Sequence, residues 1–574
     1  MSSKALNRAK VLVLGDDTRS FLTIVRSLAR QGLEVHVGPF NFRAPALRSR
    51  YISQIHWLPY YLDDGAEWLN TLKALLTRHK FSLVIPCDER TLLPLSWHSM
   101  EIHEIARVAI PDSNSIKAFF DKNNTRLLAS SLGIPIARGR CILPNDTAAS
   151  LIAEAGLPIA IKPAASYTTT RLYSRNKVTI ATSKAEVTSA LDEASGQPHL
   201  FEGFFSGYGV GVSVLAHNGR ILQAFEHHRV HELQGASHYR VSASLSPSLL
   251  DAVRKMMEAT QYTGVAMTEF RVSADTGAWI LLEINARPWG SLPLPVALGV
   301  NFPFLWYQLL VNGYESPAKD YRAGVFGRNF LPDMRFLRTR LRALTSQPIE
   351  VAKFLMKVFR EYSHFFQGRE VYDVFVRDDP APAWYELSIA LEDTWKLSSL
   401  SAYINGRGYD RRTVRRALNK NDCEIAIVCQ GNICRSPFAA AFLTRLLERK
   451  SIGNLRVASY GNIPREGAFC PPTACEAAKA YGIDLFAHRS RHFSREAAER
   501  ANIIIAFDET NRRWIRERYP TLKAPIIMLG SFGSESRTIA DPDGGDIKRL
   551  AATYRVIADS VNGLVSEILR LRDG

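Results

Sequence analysis

The densest chemistry in the chain lies in Cys429-Gln430-Gly431-Asn432-Ile433-Cys434-Arg435-Ser436-Pro437. An apolar strand pattern, IAIV, runs into this stretch, and a helical pattern, PFAAAFLTRLL, leaves it. A loop between a strand and a helix N-terminus aims backbone N–H groups at one point and favours an anion there. The same field stabilises a thiolate on Cys429, at the first position of the loop. Arg435, six residues on, can fold back and hold two phosphate oxygens. Nucleophile, anion cradle and cationic clamp thus fit within seven residues, and together they suit displacement at phosphorus. The leaving oxygen needs a proton. Asp541, in the turn-rich IADPDGGD, is the candidate donor, because a carboxylate beside a bound dianion has its pKa raised.

A second constellation is spread over residues 116–291. Glu283-Ile284-Asn285-Ala286-Arg287 closes the apolar strand WILLEINAR. Strand alternation puts Glu283, Asn285 and Arg287 on one face. A carboxylate, an amide oxygen and a guanidinium together are what a magnesium–phosphate site requires. Glu269, on VAMTEFRV, supplies a second carboxylate, so an antiparallel strand pair can hold two Mg²⁺ ions bridging nucleotide phosphates. Lys122 and Lys162 stand where side chains can reach those phosphates. Glu202, in HLFEGFFSG, can accept from the adenine amino group, and the backbone beside Phe204 can complete the purine contacts. Histidines 227, 228, 231 and 238 read as a solvated or substrate-facing polar loop rather than a metal site. Gly207, Gly209 and Gly211 read as strand kinks, not a dinucleotide fingerprint.

CQGNICRSP, with HRSRHFS (His488–Ser494) and IIIAFDETN (Ile503–Asn511), resembles the low-molecular-weight protein tyrosine phosphatases over essentially all of residues 421–574. The resemblance implies that Cys429 is the nucleophile, Arg435 the clamp and Asp541 the acid. It implies that Gln430, Gly431, Asn432, Ile433, Cys434 and Ser436 form the phosphate loop, with Asn432 and Ser436 orienting the cradle and stabilising the thiolate. Ile433 stands where members acting on phosphoarginine have Thr, which favours phosphotyrosine. Against this, Asp543-Gly544-Gly545 replaces the aromatic residues that often follow the Asp-Pro pair. Arsenate reduction is the alternative chemistry on this scaffold. Cys434 either closes a reversible disulfide with Cys429 or is simply buried. Cys470 and Cys475 read as structural.

EINAR, with Glu269, the two lysines and Glu202 around it, resembles the ATP-grasp superfamily over roughly residues 8–330. Members similar to the carbamoyl-phosphate-synthetase large-subunit half and the carboxylate–amine ligases are the nearest in pattern. The resemblance implies ATP and Mg²⁺ as cofactors and ligation through an acyl phosphate. ATP's γ-phosphoryl moves to a substrate carboxylate, and an amine (less often a thiol) then attacks. Glu269, Glu283 and Asn285 would hold the metal and Arg287 would stabilise the transferred phosphoryl. Arg229 and HHRVHELQGASHYR would lie in the acceptor region. The flexible lid, usually glycine-rich, is Ala165-Ser166-Tyr167-Thr168-Thr169-Thr170-Arg171 here. The competing reading makes this half a non-catalytic ATP-binding sensor or scaffold that regulates the phosphatase.

These sites need alternating strands and helices to hold them. VLVLG (Val11–Gly15), the amphipathic FLTIVRSLARQG, LEVHVGP and FSLVIPCDE predict a mostly parallel sheet. The expected class is α/β multidomain: a pre-ATP-grasp α/β domain over 1–115 and an ATP-grasp α+β domain over 116–330. A helical or irregular connecting region over 331–420 follows, then a parallel-sheet phosphatase domain over 421–574. A length of 574 residues is ample for such an arrangement.

The formal net charge of +16 is spread, +7 over 1–330, +5 over 331–420 and +4 over 421–574. A nucleic-acid module would concentrate it, so no nucleic-acid partner is expected. The run Arg411-Arg412-Thr413-Val414-Arg415-Arg416 reads as a solvated helix or linker, with contact to an anionic membrane surface or polymer as the alternative. Pro288 to Tyr314 lacks charged residues, but four prolines break it, so it reads as core and no transmembrane segment is expected. Seven cysteines, an odd number in a large chain without zinc spacing, point to a reducing cytoplasm. The expected partners are a small-molecule carboxylate and amine for one half and a phosphotyrosine protein or other phosphomonoester for the other.

Overall fold

A computed structural model describes residues 9–41, 44–59, 61, 65–167, 172, 178–194, 198–233, 235–344, 348–398, 400–418, 423–463, 466–519, 522–542 and 546–570. The chain divides into two compact units, Met1–Ile389 and Ala390–Gly574.

Among the described residues, the first unit contains three sheets. In the N-terminal one, strands Gln54–Ile55, Glu34–Gly38, Lys10–Leu14 and Leu83–Pro86 lie side by side, all parallel. Its central strands are continuous apolar runs, as burial on both faces demands. Val11 and Val13 pack with helix Ser20–Arg30, while Leu12 and Leu14 pack with helix Ala66–His79. The second sheet is antiparallel, in the order Gly139–Cys141, His199–Gly203, Ile159–Pro163, Thr179–Ala181. The third has seven strands, in the order Trp279–Asn285, Gly264–Val272, Tyr208–His217, Arg220–Leu233, Ala236–Ala243, Phe326–Arg328, Glu370–Tyr372. Helix Pro247–Thr260 covers it with Leu249, Val253, Met256 and Met257.

The charge-free stretch after Pro288 is core. Helix Phe302–Asn312 buries Phe302, Leu305, Trp306 and Leu309 against helix Ser20–Arg30 and the strands Tyr208–His217 and Gly264–Val272. Among the described residues no helix is long and apolar enough to cross a membrane.

The segment 331–420, expected to be a connector, is divided between the two units. Glu370–Tyr372 extends the seven-stranded sheet, and charged residues lock this part into the first unit. Arg328 pairs with Glu370 at 2.7 Å and with Asp333, Arg240 pairs with Asp373, and Arg26 pairs with Asp379 at 2.9 Å. Sequence periodicity does not report ion pairs such as Arg240–Asp373 and Arg26–Asp379, closed across 133 and 353 positions. Helix Leu400–Ala417 belongs to the second unit, where Val414 is fully buried in the core. The basic run lies on this helix with Arg411, Arg412, Arg415 and Arg416 exposed and Val414 buried, which fits the solvated-helix reading rather than the linker. Arg415 bonds Glu567 at 2.6 Å, while Asp410 accepts from Arg537 at 2.9 Å.

The second unit carries a parallel sheet in the order Leu455–Gly461, Cys423–Cys429, Ile503–Ala506, Ile526–Met528. Strand alternation sorts the central run. Ile425 and Ile427 pack with helices Arg435–Arg449 and Ile547–Arg570, whereas Ala426 and Val428 pack with helices Arg495–Arg500 and Glu509–Arg518.

Candidate active sites

Strand Cys423–Cys429 ends at the nucleophile candidate, and helix Arg435–Arg449 begins six residues later. The loop between them is drawn tight against the neighbouring strand. Asn462 N–H donates to the Cys429 carbonyl at 2.8 Å and Ile463 N–H to that of Gln430 at 3.0 Å. A side chain at Gly461 would meet the backbone of Gly431 and Asn432 at 3.0 Å, so this close approach requires glycine. Gly431 allows the chain to turn ahead of Ile433, which packs partly buried against the core.

Cys429 Sγ lies 3.1 Å from Ser436 Oγ and accepts the Asn432 N–H at 3.3 Å. Ser436 Oγ is also 3.1 Å from the Tyr460 carbonyl. The single hydroxyl hydrogen can serve either acceptor, and a thiolate on Cys429 would draw it to sulfur. Asn432 sits at φ 53°, in the left-handed region that asparagine tolerates. Its amide donates to Ser436 Oγ at 2.9 Å and accepts the Arg491 N–H at 2.8 Å. His488 Nε2 lies 2.9 Å from the Asn432 carbonyl, and burial lowers its pKa. The Cys434 carbonyl accepts from Tyr554 Oη at 3.1 Å.

Arg435 is 1% exposed. Its Nη1 donates to Asp508 at 2.6 Å and to the Ile539 carbonyl at 3.0 Å, and its Nη2 pairs with Asp541. Among the described residues, Nε of Arg435 is buried without a partner. Burial opposes its charge, but Cys429, Asp541 and Asp508 outweigh that and push its pKa up. Cys429, Arg435, Ser436 and Asp541 are thus brought together. Asp508 was missed as a partner, although its place as helix N-cap, accepting from Asn511 N–H at 2.7 Å, was a legible signal. Residues 543–545, which bear on aryl packing, lie outside the described residues.

In the first unit, Glu269 and Glu283 face each other directly across the strand pair. The Asn285 amide nitrogen lies 3.3 Å from each carboxylate. Arg287 donates to the Asn285 amide oxygen at 3.0 Å and to Glu89 at 3.0 Å. Burial, outweighing the Arg229 partner and assisted by the Glu283 charge, raises the pKa of Glu269. Two repelling carboxylates fit a hard divalent ion such as Mg²⁺, while the Asn285 amide turns its nitrogen to them and its oxygen to Arg287, so the amide must flip to complete an all-oxygen donor set. Glu269 is also bound by Arg229 at 2.5 Å, a partner not foreseen for a residue expected in the acceptor region.

A pocket is lined by Lys122, Ser166, Glu283, Asn285, Arg287 and Glu89, among others. Lys122 Nζ donates to Ser166 Oγ at 3.1 Å and to the Pro163 carbonyl at 3.2 Å. Lys162 and Glu202 are not among its lining residues. They pair with each other, and Glu202 also accepts from Arg126 at 2.6 Å. The Phe204 N–H donates to the Pro158 carbonyl at 2.9 Å, and its side chain is exposed. The groups expected to read adenine are therefore engaged within the protein. Of the lid, residues 168–171 lie outside the described residues. The expected polar histidine loop is instead the strand pair Arg220–Leu233 and Ala236–Ala243, which buries His227 and His231. His231 Nδ1 lies 2.7 Å from Asp333, so long-range charge pairing overrides the polarity of the local sequence.

Two family models match the chain. Residues 424–572 match "low molecular weight phosphotyrosine protein phosphatase" and residues 197–325 match "ATP-grasp in the biosynthetic pathway with Ter operon". The chain is 31% identical over 147 residues to the probable low-molecular-weight protein-tyrosine-phosphatase EpsP of Ralstonia nicotianae, covering 26% of this chain and 97% of that one. It is 35% identical over 145 residues to a protein-arginine-phosphatase of Geobacillus stearothermophilus, covering 25% of this chain and 92% of that one. Among solved structures, the ADP complex of N5-carboxyaminoimidazole synthetase from Staphylococcus aureus aligns over 59% of this chain and 86% of its own at 13% identity and a TM-score of 0.46. Residues 197–325, ahead of the C-terminal unit, match the ATP-grasp model, and through that C-terminal unit the chain belongs to the low-molecular-weight phosphotyrosine protein phosphatases.

Proposed function

We propose that the first unit couples a small-molecule carboxylate to an amine through an acyl phosphate, and that the second hydrolyses an aryl phosphomonoester, phosphotyrosine being the favoured class. In the second unit Cys429 attacks phosphorus as a thiolate. The P–O bond to the aryl oxygen breaks, and Asp541 gives its proton to that oxygen, leaving a phosphocysteine. Water then attacks phosphorus and yields its proton to Asp541, and the S–P bond breaks to restore the thiolate and release phosphate. The observation that carries this reading is the resting partnership of Arg435 with Asp541. A bound dianion competes for the guanidinium and its orphaned Nε. Losing the arginine and gaining a negative neighbour both favour protonation of Asp541, so substrate binding itself arms the acid. Asn432 and Ser436 hold the thiolate, and Gln430, Gly431, Ile433 and Cys434 supply loop backbone. Ile433 supports the tyrosine preference, while the arginine-phosphatase relative makes phosphoarginine the comparison substrate. Seven free cysteines, Cys429 among them, fit a reducing, cytoplasmic setting.

In the first unit the observation that carries the reading is the Glu269–Asn285–Glu283 cluster with Arg287 beside it. Glu269, Glu283 and Asn285 would hold Mg²⁺, which when bound neutralises charge on the nucleotide phosphates. Lys122 reaches the phosphates from the pocket rim, Lys162 exchanges Glu202 for a phosphate, and Glu202 and the backbone beside Phe204 take the purine. Arg287 binds the phosphoryl in transfer. The γ-phosphoryl passes to a carboxylate oxygen with ADP leaving. The amine nitrogen then attacks the acyl carbon, loses its proton, and phosphate departs. A screen for ADP release over amino acids, dipeptides and sugar acids tests this. Release that needs both a carboxylate and an amine is expected, and AMP formation contradicts the acyl-phosphate route.

A further inference from the structure

The N-terminal sheet gathers three histidines that neither active site uses. His36 lies on strand Glu34–Gly38 and is 2% exposed. His56 follows the edge strand Gln54–Ile55, and its N–H donates to the Val37 carbonyl at 2.8 Å. His79 is the last residue of helix Ala66–His79. Their ring centroids are 4.8 to 5.2 Å apart, and one nitrogen from each falls within 4.8 Å of the other two. His36 Nδ1 and His56 Nε2 are 2.9 Å apart. His36 Nε2 contacts Glu34 Oε1 at 2.7 Å.

We propose that His36, His56 and His79 form a binding site for one late first-row divalent metal ion, with zinc the first choice, which clamps the edge of the N-terminal sheet to the end of its covering helix. Imidazole is a ligand of choice for such ions, and three protein nitrogens with an open fourth position is an established zinc coordination pattern. Tetrahedral zinc at about 2.05 Å from each nitrogen needs ligand nitrogens about 3.3 Å apart. The pair now at 2.9 Å must part slightly, and the half-buried His79 at the helix end must swing in. Glu34 plays the outer partner. Its carboxylate takes the His36 Nε2–H, which leaves the Nδ1 lone pair directed into the cluster.

The protonation states also suit a ligand set. Burial, then the neighbouring His36 and His79 and the Arg78 charge, bring His56 down to about 4, and burial also lowers His79. These rings are neutral at pH 7, as metal ligation requires. His56 needs only to move its proton from Nε2 to Nδ1. Arg78 and Lys10 oppose an added cation and Glu34 favours it, so moderate rather than extreme affinity is expected.

The full-length protein, stripped with chelator, would be titrated with Zn²⁺ alone and with Co²⁺ alone, beside His56→Asn and His79→Gln. The expected result is one more equivalent bound by the parent than by either variant. The visible bands of four-coordinate Co²⁺ and a zinc-dependent rise in Tm should appear in the parent only. Because only the difference between parent and variant is read, thiols and the Glu269–Glu283 cluster cancel. Equal stoichiometry and equal spectra in parent and variants would overturn the proposal, as would a parent whose Tm is unmoved by Zn²⁺. His79 is half-buried at a helix end, so its variant tests ligation without a core substitution.

Discussion

The two phosphate-handling regions solve one electrostatic problem by opposite routes. In the phosphatase unit a short loop carries the nucleophile, the backbone amides and the arginine, and neighbouring strands only brace it. In the ligase unit Glu269 and Glu283 come from paired strands, Lys122 from a distant helix start, and Glu89 from the N-terminal sheet region. A compact loop presents the anion with N–H dipoles fixed by local geometry, so little can move. A dispersed site gathers charges whose balance depends on a metal and on partners able to exchange, as Lys162 and Glu202 illustrate. The first should fail abruptly at single residues, and the second should fail in steps.

The sharpest break should come from Cys429→Ser. Hydrolysis of an aryl phosphate should fall by more than about 10³-fold, while ADP release is unchanged, read by paired assays on one preparation. Residual hydrolysis near the parental rate would remove the assigned nucleophile. In the dispersed site, Glu283→Gln should lower ADP release by about 100-fold or more and leave phosphatase turnover intact. An unaffected ligase would detach that strand face from catalysis. Measuring phosphatase rates with and without Mg·ATP then separates a working ligase from a regulatory one.

Asn432 offers a finer cut, because side chain and backbone can be parted. Asn432→Ala forces an ordinary residue into the left-handed region at φ 53°, costing about 1–2 kcal/mol. Asn432→Gly keeps that conformation and removes the side-chain bonds to Ser436 and to the Arg491 N–H. Both should shift the thiol limb of the kcat/KM–pH profile upward, and the alanine variant should lower Tm further than the glycine variant. Stability supplies the next contrast. Asp373→Asn leaves Arg240 fully buried without its charge partner and should destabilise the first unit by about 3–5 kcal/mol, without slowing the phosphatase.

The smallest expected effect concerns pH. Glu269 has a raised pKa when folded, chiefly from burial. Its contribution to stability is therefore present below its unfolded value and is lost as pH rises through the folded one. Bound Mg²⁺ relieves that loss, so the Mg²⁺-induced rise in Tm should be larger at pH 8 than at pH 5. A Mg²⁺ effect independent of pH would place the ion elsewhere.

Both chemistries were legible because their motifs are local: CQGNICRSP contains its own strand, turn and helix start, and EINAR its own alternation. The lysines and Glu202 were legible as residues but not as states, since the pairing of Glu202 with Arg126 and Lys162 is a tertiary fact. The polar histidine stretch was misjudged for the same reason. His231 is buried because Asp333, from a helix far along the chain, neutralises the cost.

Composition and order alone determined that the chain holds a nucleophilic cysteine loop and an acidic strand pair, because nearest-neighbour geometry and strand alternation are properties of consecutive residues. Tertiary structure decided which charges meet. Asp508 and Asp541 meet at Arg435, Arg229 meets Glu269, and three histidines meet at one sheet edge. Electrostatic energy depends on distance and burial, and neither is written in the spacing of residues along a chain.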